Sequence, residues 1–338
     1  MQLKYYLFIL PILAILSCNS KSSNLDWKNQ EVEITSISLH KSLQEYKDNP
    51  SSESYQKFKN SYPFFMDIYF KHLLPWRLKE DPKEQEEQFK EFVSYKDYSN
   101  LIDTVVLEYP KVDHIDKDLI KLFKHIKATD VDFMIPDTVF YYTSGINQSF
   151  SVILNEHSIA ISLDMFLGKN YPHYQNIEPP IPNFILSRME RRHIPIWVAQ
   201  NIFQDYYPFH LEMGDFLQLM LQKGKEYYFL EQVLPDLKMH EIFGYTPEQM
   251  DWAEKNERNI YNYFLENELL YSKNPVKIMR FLSETHSTVD FSPESPGNLG
   301  SFIGWKIIRK FATFKNNIKE VMDASEDATI LKNAKYKP

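Results

Sequence analysis

Val139-Phe140-Tyr141-Tyr142-Thr143 opens the stretch, residues 137–203, on which the reading of this chain turns. Apolar side chains fall at Phe150, Val152 and Leu154, and again at Ile159, Ile161 and Leu163, with polar residues between many of them. Alternation with period two marks a half-buried strand, because successive side chains point to opposite faces. Asn155-Glu156-His157-Ser158 separates the last two runs with residues that favour a tight turn, so they pair as a hairpin. Together the runs predict a small antiparallel sheet, with His157 as a turn residue rather than a ligand.

Past the hairpin, residues 164–183 are rich in proline and tyrosine, including Glu178-Pro179-Pro180-Ile181-Pro182, and predict an extended, exposed connection. A helix-like segment follows, carrying Met189-Glu190-Arg191-Arg192-His193. Its spacing is that of the zinc-protease signature His-Glu-x-x-His, in which two His one turn apart hold the metal and the Glu is the base. Met189 stands where the first ligand belongs, and a neutral thioether is a poor ligand for Zn²⁺. Glu212 and Glu226 are further candidate ligands, but no spacing selects them. Arg188, Arg191 and Arg192 oppose a dication and suit a carboxylate or phosphate, which makes them a candidate contact or anion site. Pro195, two residues past His193, ends or kinks a helix there and fits the first turn of a new one running through Phe203. The expectation is a zincin-like arrangement with a degenerate metal site, no cofactor and no catalysis. One alternative is an envelope metallohydrolase acting on peptide or peptidoglycan, with Glu190 as base and His193 as ligand. Another, suggested by the many aromatic residues, is a glycan- or small-molecule-binding lipoprotein.

Around this stretch the chain reads as helical. Tyr55, Phe58, Tyr62, Phe65, Ile68 and Tyr69 predict an aromatic-rich pair of helices over residues 52–74. Residues 79–88 are charged or amide at every position but Pro82, as in a solvated helix or loop. Leu119, Leu122, Phe123 and Ile126 have helical spacing with lysines opposite, predicting a helix over 116–127 that packs on the sheet. Residues 32–39 predict an early strand. Thr246-Pro247-Glu248-Gln249 combines an N-cap, a first-turn proline and a capping box, and starts a helix expected to reach residue 270. Gly297, Gly300 and Gly304 cluster in a chain with 8 glycines, so the helix over residues 302–314 is expected to approach a neighbour closely.

With 338 residues, 43% of them hydrophobic, the chain can bury a large core, and the fold class is a mostly helical α+β single domain. A formal charge of −8 with dispersed Lys and Arg provides no field for nucleic acid. Residues 1–17 have the form of a secretory signal, with Lys4 ahead of a short apolar run. The run ends Ile15-Leu16-Ser17-Cys18, similar to a bacterial lipobox, and Cys18 is the only cysteine. Cys18 is therefore expected to carry diacylglycerol and palmitate as the membrane anchor, since several acyl chains hold where one does not. The domain plan is a signal over 1–17, a lipidated tether over 18–30 and the α+β domain over 31–338. Asn19-Ser20-Lys21-Ser22-Ser23-Asn24 lacks the acidic run of surface-exported lipoproteins, which places the chain on the periplasmic face of the outer membrane.

Short motifs then accumulate in order. They include the lipobox, Leu122-Phe123-Lys124-His125-Ile126-Lys127, Phe166-Leu167-Gly168, Leu234-Pro235-Asp236, Gly244-Tyr245-Thr246-Pro247-Glu248-Gln249, Ser295-Pro296-Gly297, Gly304-Trp305 and the terminal Lys335-Tyr336-Lys337-Pro338. In this series the chain resembles the GldB gliding-motility lipoproteins of Bacteroidetes-type bacteria over nearly its whole mature length. The resemblance implies an envelope lipoprotein that supports gliding and the type IX secretion machinery through protein contacts, and it brings no catalytic residues.

Overall fold

A computed structural model describes residues 25–326 and 328–338. The signal and Cys18 lie outside the described residues. Strands β1 (Thr35–Ser38), β2 (Thr138–Tyr142), β3 (Ser151–Asn155) and β4 (Ser158–Ser162) form one sheet in the order β1-β2-β4-β3. The β3–β4 hairpin is antiparallel and turns where Asn155 and Ser158 meet, as its sequence predicts. β1 and β2 are parallel, however, and so are β2 and β4. The sheet is therefore mixed rather than antiparallel. The cause is visible in β2, where four consecutive apolar residues, Val139 to Tyr142, are all buried. Such a run, rather than an alternation, belongs to a central strand covered on both faces.

The period of two then divides the core. Phe140 and Tyr142 on one face of β2, with Ala160 of β4, join one apolar cluster, while Val139, Tyr141, Ile159 and Ile161 join the other. The first cluster is closed by helices α1 (Leu39–Asp48), α2 (Ser52–Lys59), α3 (Pro63–Ile68), α4 (Pro82–Ser94) and part of α5 (Lys96–Glu108). Its aromatic rings interlock, as where Phe65 stacks on Phe140 with centroids 4.8 Å apart. The charged stretch at 79–88 begins α4, which Asp81 caps by accepting from the amides of Lys83 and Glu84. Helix α4 is anchored by buried Phe89, Phe92 and Val93. Helix α6 (Asp113–Lys127) covers the other face with Leu119, Leu122, Phe123 and Ile126, the predicted stripe.

Residues 164–183 are less exposed than their prolines suggest, because Asp164, Met165, Phe166, Tyr174 and Ile181 are buried. The Tyr174 hydroxyl ties the segment down, donating to the Asp164 carbonyl at 2.6 Å and accepting from the Leu167 amide at 3.1 Å.

The second half holds α7 (Asn183–Leu186), α8 (Ile194–Tyr206), α9 (Phe216–Val233), α10 (Met239–Phe243), α11 (Pro247–Lys255), α12 (Glu257–Glu266), α13 (Pro275–Leu282), α14 (Leu299–Ala312), α15 (Ile318–Met322) and α16 (Ala328–Ala334). Thr246 closes its predicted capping box with Gln249, but the helix expected to reach residue 270 divides at Asn256 into α11 and α12. Helices α9 and α14 cross at Gly224 and Gly304, where each glycine lies against the other's backbone. This is the close approach that the glycine cluster predicted.

Candidate functional site

The Met189-to-His193 segment is not a helix. Gly168, at φ +92, lets the chain turn so that its amide donates to the Met189 carbonyl at 2.9 Å, and Leu167 and Glu190 form an isolated antiparallel bridge. Glu190 is extended, Arg191–His193 make a single 3-10 turn, and α8 begins at Ile194 with Pro195 in its first turn. The zinc-protease signature needs helical periodicity to bring its first and fifth residues to one face. With residue 190 recruited into a bridge, that periodicity is lost. Met189 points instead into the main core and is fully buried. Pro195 sits where its ring and missing amide are tolerated, as its position in the sequence predicts.

The arginines separate in space. Arg188 is 1% exposed, and its Nη2 donates to Glu284 Oε2 at 2.5 Å. Its guanidinium lies 4.8 Å from the centre of the Trp197 ring, a cation–π contact strengthened by burial. Gly244, left-handed at φ +70 at the end of α10, borders the same group, and a Cβ there would stand 3.0 Å from Arg188 Nε. Arg192 pairs with Glu241. Arg191 is exposed and lies where its charge acts on Tyr109 and His114. They do not form one positive cluster, and neither Arg188 nor Arg192 takes Glu190 as its ion-pair partner.

His193 is 5% exposed, with Nε2 3.5 Å from Glu241 Oε1. Burial holds its pKa below the ordinary histidine value despite the nearby carboxylate. Burial pushes Glu241 up, but the Lys238 amide, Arg192 and His193 outweigh it and hold the carboxyl below its usual range. The Lys238 amide donates to Glu241 at the start of α10, so this carboxylate is fixed by the helix it begins. Glu284 is shared in turn, accepting weakly from the Tyr227 hydroxyl at 3.4 Å, while Asn298 Nδ2 donates to that hydroxyl at 2.9 Å. Asn298, left-handed at φ +56, precedes α14 and is buried. The other two ligand candidates lie elsewhere. Glu226 is buried on α9 with Gln204 and Lys223, and Glu212 is exposed beside His210.

Arg188, Glu190, His193, Glu241, Glu284 and Asn298 are among the residues lining one cavity of about 380 Å³. That volume is within the range of ligand pockets. Among the described residues no group of three or more His, Cys, Asp or Glu is placed to hold a metal ion. Glu284, Glu241, Tyr227, Asn298 and His240 were not legible as site residues. Asn298 within the glycine cluster and the isolated Gly244 were the only local signals.

A comparison with protein-family models matches residues 20–338 to the family described as gliding motility protein GldB. Neither a curated protein nor a solved structure matches the chain.

Proposed function

The chain belongs to the gliding motility protein GldB family, and from that premise we propose that it supports the gliding machinery, and the type IX secretion machinery associated with it, by protein contact rather than by catalysis. A gliding-motility-associated lipoprotein of the cell envelope follows from the family itself. One observation supports the non-catalytic reading: of the five Arg and Glu side chains lining the cavity, all but Glu190 are already paired with one another. Arg188 is held by Glu284, and Arg192 by Glu241. A general base needs a lone pair within about 2.6–3.2 Å of the proton it takes. Glu241, engaged by the Lys238 amide and Arg192, is instead part of the scaffold. Deleting the gene should abolish spreading on agar with little change in growth, and a copy carrying Glu190→Gln should restore it. A deletion strain gliding at wild-type speed would refute the role. Rescue by wild type but not by Glu190→Gln would restore the hydrolase.

The anchor is proposed at Cys18, facing the periplasm, because the cysteine ends a short apolar signal and no acidic run follows it. No helix of the described residues is long and apolar enough to cross a membrane, so the lipid is the attachment this reading relies on. Cys18→Ser should lose radiolabelled palmitate and leave the membrane fraction, while protease added to intact cells should spare the wild-type protein. Equal labelling of the variant would sink the anchor, and rapid digestion without outer-membrane damage would sink the periplasmic placement.

A further inference from the structure

Among the described residues, five buried side-chain polar atoms without a hydrogen-bond partner belong to residues lining the one cavity described above. They are Arg188 Nε and Nη1, His193 Nδ1, His240 Nδ1 and Asn298 Oδ1. Buried polar groups are almost always paired, with protein or with ordered water, so a concentration of such atoms around one cavity marks a place where a polar partner fits. The set contains both kinds of group. Arg188 can only donate, while Asn298, whose Nδ2 is committed to Tyr227, leaves an oxygen that can only accept.

We propose that this cavity receives a short, uncharged or basic peptide segment of a partner protein, whose backbone carbonyls meet Arg188 and whose backbone amides meet Asn298. The inference rests on the contact reading above and names the site of one such contact. Charge sets the class of segment. Two arginines, Arg188 and Arg192, face three glutamates, Glu190, Glu241 and Glu284, and burial favours the neutral form of His193 and His240. An acidic ligand would enter a site already negative on balance. The walls between the polar groups include Phe184, Phe243, Tyr245, Pro247 and Pro296, which suit apolar side chains of a peptide.

Two large rings at this site, Phe243 and Trp197, offer no free face for a sugar to stack on. Phe243 is stacked on Tyr227 at 3.8 Å and on Tyr245 at 5.1 Å. Trp197, beneath Arg188, is covered by that guanidinium and by Phe150 at 3.8 Å. These aromatic faces are spent within the fold.

The test is selection from a displayed library of short random peptides on the full chain purified in detergent. Binding of the enriched peptides is then measured with wild type and two variants. Ser187→Trp places a large ring at an exposed position on the cavity wall, outside the buried network. Asn298→Gly keeps a backbone free to adopt φ +56 and removes the unpartnered acceptor. The expected result is enrichment of neutral or basic sequences, with affinity reduced at least about tenfold by either substitution. Because Ser187 is at the surface, its variant keeps the test valid if Asn298→Gly fails to fold. Enrichment of acidic sequences, no enrichment at all, equal binding by Ser187→Trp, or competition by a chito-oligosaccharide would each overturn the proposal. A gene deletion without a gliding defect would overturn the contact reading instead, and leaves these binding outcomes unaltered.

Discussion

Gly304→Ala should destabilise the chain by about 3 kcal/mol, at the upper end of what overpacking in a core usually costs. An ideal Cβ at residue 304 would lie 2.0 Å from the Met220 carbonyl oxygen and 2.9 Å from its carbon, and one at residue 224 would lie 2.3 Å from the Gly304 carbonyl carbon. Every one of these obstacles is backbone. No rotamer change relieves them, so α9 and α14 must move apart. Helix α14 is buried along most of its length, and Phe302, Ile303, Ile307 and Ile308 would lose contact together. Alanine's better helix propensity returns only about 1 kcal/mol. Gly224→Ala should do comparable damage. The double variant should cost less than the two singles added, because once one Cβ has separated the helices the second meets less resistance. Urea unfolding monitored by far-UV circular dichroism measures all three. A Gly304→Ala protein within half a kcal/mol of wild type would show that the two helices are not held in backbone contact.

That glycine pair was half legible in the sequence. A cluster of glycines in a glycine-poor chain predicts close approach for one helix, but nothing local says that Gly224, eighty residues earlier, is the other half. The same divide recurs elsewhere. The Thr246 cap, the α6 stripe, the β3–β4 hairpin and the helix opened by Pro195 depend on residues a few positions apart, where turn chemistry and helical spacing speak directly. The parallel pairing of β2 escapes a reading by alternation, because its unbroken apolar run carries no period of two. The Met189–His193 pattern failed because a spacing of four is only a helix signature if the backbone is helical, and the Leu167–Glu190 bridge decides that from another segment. The cavity was least legible of all. Arg188 and Glu284 are 96 residues apart, Tyr227 and Asn298 71, His193 and Glu241 48. Pairings of that reach leave no periodicity to read.

Asp164→Ala should be still more damaging, on the order of 4–5 kcal/mol, from the loss of hydrogen bonds to a buried charge. The side chain is fully buried and accepts from four donors: the Ser144 amide at 2.8 Å, the Ser144 hydroxyl at 2.9 Å, the Ile146 amide at 2.6 Å and the Ser162 hydroxyl at 2.7 Å. These bonds hold a conformation the chain would otherwise avoid. Gly145 and Ile146 are both left-handed, at φ +78 and +60, and for a β-branched residue that geometry costs roughly 1–3 kcal/mol. Without the carboxylate the turn has no reason to stay wound, and its buried donors lose their acceptor together. Asp164→Asn keeps the shape and one acceptor oxygen but turns an amide donor toward the others, so it should lie between, at about 2–3 kcal/mol. The effect should also travel toward the cavity. The Asp164 carbonyl receives the Tyr174 hydroxyl, that hydroxyl receives the Leu167 amide, and Leu167 bridges to Glu190 on the cavity wall. Hydrogen exchange on Asp164→Asn should therefore rise first at the amides of Ser144 and Ile146 and next at Leu167 and Gly168, while α11 and α12 keep their protection. Unchanged exchange at Ser144 and Ile146, or an alanine variant as stable as wild type, would show that the carboxylate is not what holds the turn.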